Sequence, residues 1–218
     1  MQNNVERAKE LLPTIILTIL SMVQALALEL FWSKIEGSDF LWHGGLTAII
    51  GWLQLLAVLV GMLLIWVLYV SFVLRFSWLP ALEDTLIPFV IGLLEFAMID
   101  TMRPDFIGLW FVLLAAIFAV VTTGSHLMMR QARRDPANEY FFSQVNPASW
   151  RDYIATIVIV VLFCLFGLVL WFYDTPGSLS IVALLIAIAA LSYRFIQAKS
   201  YWMHSLVADQ SVKSEAHR

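Results

Sequence analysis

Residues 86–102 read Leu86-Ile-Pro-Phe-Val-Ile-Gly-Leu-Leu-Glu95-Phe-Ala-Met-Ile-Asp100-Thr-Met102. This apolar stretch carries one carboxylate near its middle and a second near its end. Counted as a span, it gives the chain an even number of crossings and puts both termini on one side. A charged group at mid-membrane costs about 2.5–3.5 kcal/mol on insertion scales, and such residues face a bundle interior or a watery cavity. Glu95 is therefore the first candidate for a working residue.

The flanks support a helix. Glu83-Asp84-Thr85 supplies residue types that cap a helix start, and Pro88 is tolerated in a first turn. Arg103-Pro104 stops the helix, because a proline disfavours helical geometry in the residue before it. A further apolar run starts at Phe106, across so tight a turn that the two helices are expected to form an antiparallel hairpin.

Working outward, the sequence predicts six spans, at about 11–32, 46–74, 86–102, 106–129, 153–173 and 179–198, with a polar tail over 203–218 that is disordered at its end. The first run continues past the small residues Ala25-Leu26-Ala27 to Phe31-Trp32, so it is read as a span and not as a cleaved signal. Arg130 to Asp152 is the longest polar connection and is expected to be a surface loop, its helix extending to about Arg134. The fold class is an all-α integral membrane bundle of six transmembrane helices.

Composition agrees. Of the 218 residues, 61% are hydrophobic and 13% charged, against about 25% charged in soluble domains, and the mean hydropathy is +0.84. The net charge of -3 matters less than its distribution. Of the 13 lysines and arginines, only Lys34 and Arg103 fall on the side away from the termini, Arg194 being counted with the terminal side. The positive-inside rule then makes both termini cytoplasmic, and the expected location is the cell inner membrane. Trp32, Trp42, Trp110 and Trp171 would form an outer aromatic belt, with Trp78, Trp150 and Trp202 an inner one. Aromatic residues recur at the outer ends of three spans and are read as interfacial anchors, not as a threefold repeat.

Several residues carry candidate chemistry. Glu95, with Glu29 and Asp100 nearer the outer side, forms a candidate ion or proton pathway, with Glu95 expected to hold a proton at rest and release it when an ion or water enters. Glu36, Asp39, Asp105 and Asp174 make the outer side acidic, which would concentrate cations. His43, Arg103 and Asp105 are possible outer contributors, and Asp100, Arg103 and Asp105 are expected to staple the turn. Gln24 and Gln54 are read as interhelical hydrogen-bonding groups. Arg130, Arg133 and Arg134, with His126 one turn before, are candidate contacts for anionic lipid headgroups.

Met98 and Met102 share a face with Glu95, but methionines at that spacing are packing residues more often than ligands, so no metal and no cofactor is expected. Cys164 is the only cysteine, which excludes an internal disulfide. No nucleic-acid partner is expected, since no basic patch interleaves with aromatics. Metalloprotease, P-loop and nucleophile-elbow motifs are absent.

The leading expectation is a small channel or secondary transporter for protons or other cations. A non-enzymatic subunit or assembly factor, binding a membrane partner or a second copy through its helices and the long loop, comes second. An enzyme acting on lipid or cell-wall precursors comes third.

Overall fold

The protein is described as a computed structural model over residues 4–79, 81–144, 150–172 and 177–216. Within these, only the backbone is described at 5, 82–83, 144, 150–152, 201 and 203–216. The helices are α1 (Asn4–Glu36), α2 (Gly45–Arg75), α3 (Ile87–Asp100), α4 (Ile107–Ala132), α5 (Glu139–Gln144), α6 (Trp150–Phe172) and α7 (Ser178–Ala216), joined by short 3-10 turns. No strand occurs among the described residues. Tyr173, the turn expected at Asp174-Thr175-Pro176, Asn146-Pro147 and Pro80 lie outside them.

Five helical stretches are long and apolar enough to cross a membrane: Glu6–Glu36, Gly45–Arg75, Pro104–Ala132, Tyr153–Phe172 and Ser178–Ser200. The helix over 86–102 is shorter than expected. It has 14 residues, about 21 Å at 1.5 Å per residue against a hydrocarbon core of about 30 Å. Its first turn is replaced by a 3-10 segment, Leu82–Leu86, where Asp84 Oδ2 accepts the Ala81 N–H at 2.8 Å. It ends at Asp100, with Thr101 as its C-cap, whose hydroxyl donates to the Ala97 carbonyl at 2.8 Å. Arg103 is then extended ahead of Pro104 (φ -148°, ψ 145°).

The helices associate in pairs. The expected hairpin is present, with Ile87 at the start of α3 beside Gly124 near the end of α4. α4 and α6 run antiparallel: a Cβ on Gly108 would come within 2.9 Å of the Gly167 carbonyl, and the His126 and Tyr153 rings stack 4.2 Å apart at the other end. Small residues allow this approach, which is how helices gain packing in lipid where hydrophobic association is weak. α1 and α3 run parallel, and Gly92 of α3 lies so close to Val23 of α1 that an added methyl would strike it. α2 packs chiefly against α7.

One core holds these pairs together, with Ile16, Leu20, Ile50, Ile91, Phe111, Phe163 and Leu184 at its centre. Trp110, expected in the outer belt, is instead fully buried there. Trp32, Trp42 and Trp171 are exposed as an interfacial belt requires. The outward faces are apolar, as on α6, where Ile157, Val158, Val161, Leu165 and Leu168 are exposed. That surface suits lipid.

The long polar connection is not a bare surface loop. After α4 it turns at Pro136–Asn138 and forms α5, whose Phe141 and Phe142 pack with Phe76, Trp78 and Ala132 in a second small core. Trp78, expected in the inner belt, is buried there. The Asn138 side-chain amide donates to the Ser77 carbonyl at 2.5 Å and the Ala132 carbonyl at 2.8 Å. Lys9 of α1 reaches Asp135 at 2.6 Å, and Asp135 also accepts the Ala137 N–H at 3.1 Å. Burial pushes the Asp135 acid up, but the Lys9 ammonium and the Ala137 N–H outweigh it and hold the carboxyl below the usual aspartate range. From Met203 the backbone continues α7 as a helix to Ala216.

Candidate functional site

Glu95 sits on the buried face of α3 with 1% of its surface exposed. It faces α1, where the Gln24 side-chain amide donates to both carboxyl oxygens, at 2.8 and 2.9 Å. Gly92, one turn earlier on the same face of α3, sets this geometry by letting α1 approach. Gln24 thus finds the interhelical partner its position predicts. Among the described residues Glu95 is paired with no cation, so a neutral amide alone satisfies a carboxyl group deep in the bundle.

Glu95 lines one end of a cavity of about 460 Å³ between α2, α3, α4, α6 and α7. On α2 the cavity extends from Gly61 to Phe76, about 22 Å of helix. It therefore leads from Glu95 and Met98 toward the end of the bundle that carries Arg75 and Met129. Its walls are mostly apolar, from Met62, Ile65, Leu68, Leu114 and Val121 among others.

Two polar groups on these walls were not singled out from sequence. Arg194 lies 16 residues into α7, inside the stretch suited to cross a membrane. Its Nη1 donates to Gln197 Oε1 at 2.8 Å, its Nη2 donates to the Thr156 hydroxyl of α6, and its guanidinium lies 5.6 Å from the centre of the Phe118 ring. Every described partner is neutral. The expected span of 179–198 already enclosed this arginine, so counting it with the flanking basic residues hid a charge within an apolar helical stretch. Tyr69 of α2 is 3% exposed and lines the same cavity, and its hydroxyl has no hydrogen-bond partner. Nothing in the sequence distinguishes it from the interfacial tyrosines.

The remaining candidates are not gathered at this site. Glu29 is exposed on α1 and outside the cavity lining. Asp100 is exposed at the end of α3, where Lys34 donates to its carbonyl at 2.7 Å and stands 4.0 Å from its carboxylate. Lys34 therefore ties α1 to that turn, while Arg103 lies over the Phe106 ring and Asp105 is exposed. His43 is exposed with Nδ1 2.6 Å from the Asp39 carbonyl. Gln54 is fully buried, and its side-chain amide has no partner among the described residues. Met98 and Met102 are buried packing residues, and no group of three potential ligands capable of holding a metal occurs among the described residues.

Arg130 and Arg133 line a second groove, of about 670 Å³, between α4 and α6. Arg134 is exposed nearby, and Arg133 lies 4.6 Å from the Phe142 ring centre. The groove shares Thr122, His126, Met129 and Thr156 with the first cavity. Those four side chains form the wall between the bundle interior and its outer face. Compared with known protein families, curated proteins and solved structures, the chain matches none.

Proposed function

We propose that this chain is a small proton-linked transport protein of the inner membrane, a secondary carrier in which Glu95 takes up and releases the proton. The observation that carries the reading is Glu95 itself: almost fully buried, satisfied only by Gln24, and opening onto a cavity. Intramembrane acids in that setting are typical of proton relays. In this reading α3, with its 3-10 lead-in, completes a six-helix bundle, both termini are cytoplasmic, and the cavity gives Glu95 access from the cytoplasmic end.

Arg194 narrows the choice between channel and carrier. A fixed positive charge on the wall of a low-dielectric cavity opposes the passage of free cations. It does not oppose a solute that brings its own negative charge, so a carrier fits better than a cation channel.

The experiment is proton flux into proteoliposomes under an imposed pH gradient, with and without weak-acid solutes, for the wild type and Glu95→Gln. The substitution keeps the side-chain shape and removes the ionisable group. The expected result is flux in the wild type reduced to the liposome background in the variant. Absence of flux from folded wild type, or equal flux from both proteins, overturns the proposal.

A further inference from the structure

The cavity contains a cation whose described partners are all neutral, a hydroxyl without a partner among the described residues and a long apolar wall, and these describe a ligand. We propose that it binds a single-chain anionic amphiphile, the acidic head on Arg194 and Tyr69 and the alkyl chain against the α2 and α4 walls. As a substrate assignment this rests on the carrier reading above; as a binding site it stands or falls on its own measurement.

Charge sets the head. Arg194 keeps its positive charge throughout the accessible pH range, and its described partners, Gln197, Thr156 and the Phe118 ring, are all neutral. Arg75 also lines this cavity, at the end away from Glu95, so the enclosure offers positive charge that an anionic head matches, and a guanidinium suits the two oxygens of a carboxylate. The Tyr69 hydroxyl supplies a donor that nothing in the bundle uses. A buried polar atom without a partner is costly, and a ligand oxygen removes that cost.

Shape sets the tail. The volume of about 460 Å³ lies in the range of small-molecule sites, and from Tyr69 its α2 wall runs about 12 Å to Gly61. That takes a compact head and one extended alkyl chain of medium length, and is too small for a two-chain phospholipid. Entry from the bilayer has a place as well. The groove between α4 and α6 has apolar walls at Val160 and Val161 and basic residues at Arg130 and Arg133. It is parted from the cavity by the four shared side chains, of which His126 is held by its stack on Tyr153. An amphiphile in that groove would lie with its head among arginines and its chain in lipid, in the orientation required to pass inward.

The test uses the full chain in phosphatidylcholine nanodiscs and measures displacement of a fluorescent medium-chain carboxylate by decanoate, decanol and decylammonium. The expected result is saturable binding of decanoate, one per chain, about tenfold or more tighter than the alcohol or the amine. Arg194→Gln should lose about that factor, Tyr69→Phe a smaller one, and Arg194→Lys should retain most of the affinity. Equal binding of acid and alcohol overturns the proposal, and so does wild-type affinity in folded Arg194→Gln. If Arg194→Gln does not fold, the headgroup series on the wild type and Tyr69→Phe decide.

Displacement of the probe by phosphatidylglycerol as readily as by decanoate would assign the site to a bilayer lipid and likewise overturn it. Binding without Glu95-dependent proton flux removes the carrier reading alone; flux without binding removes this one alone.

Discussion

The Gln24 to Glu95 contact is the only described polar link between α1 and the buried face of α3, and it makes a definite energetic demand. Side-chain hydrogen bonds between membrane helices average roughly 0.6 kcal/mol and reach about 1.7 in double-mutant cycles. A cycle through Gln24→Leu, Glu95→Leu and the double variant should return a coupling of about 1 kcal/mol in reversible unfolding from detergent. A coupling of zero would mean that the two groups meet without stabilising each other. Glu95 was legible in the sequence because a carboxylate in an apolar run is conspicuous by its cost. Arg194, only partly buried, passed unnoticed, because an arginine near a span end normally reaches the interface and only the packing of α7 against α6 brings it to Thr156. Tyr69 gave no signal at all: an unsatisfied hydroxyl is a property of surroundings, not of residue type.

Helices two, four, six and seven lie close to where hydropathy predicts them, since a run of apolar residues about a bilayer thick has few alternatives to a helix in lipid. The departures come where local chemistry overrides composition. Arg103, extended ahead of Pro104, closes off α3, which ends at Asp100 before its apolar run does. Helix pairing was less legible, because it depends on where glycines of different helices fall opposite one another. Gly92 offers a direct test. In Gly92→Ala the new methyl strikes Val23, so α1 and α3 must separate and the hydrogen bonds from Gln24 must lengthen. The expected outcome is a loss of about 1–3 kcal/mol in unfolding stability, together with a shift of the Glu95 carbonyl infrared band as its partner withdraws. A variant as stable as the wild type, with an unchanged band, would show that the approach at Gly92 does not position Glu95.

Across the whole molecule, the connection after α4 joins the bundle end into one unit through Asp135, Asn138, Phe141 and Phe142. The Asp135 carboxyl is held below its ordinary value of 3.8, so the ion pair with Lys9 contributes fully above that value and is lost as pH falls through the lower, folded-state value. Protection factors in residues 136–144, corrected for the intrinsic exchange rate at each pH, should therefore be high at neutral pH and fall below about pH 4. Asp135→Asn should show low protection factors at both. Protection in that segment that is independent of pH and of the substitution would assign its order to the aromatic cluster alone.

The amino-acid sequence determined that this chain is helical and built for a bilayer, where its long helices fall, and that a costly acid lies within one of them. Those properties follow from local hydropathy and from the need to satisfy backbone hydrogen bonds in lipid. The tertiary structure alone decided that Glu95 meets Gln24, that Glu29 and Asp100 stay outside, and that Arg194 and Tyr69 share the cavity with Glu95. Which side chains come together depends on the rotation and depth of each helix against its neighbours. Close approaches at residues such as Gly92, Gly108 and Gly167 set those quantities, and a linear pattern does not contain them.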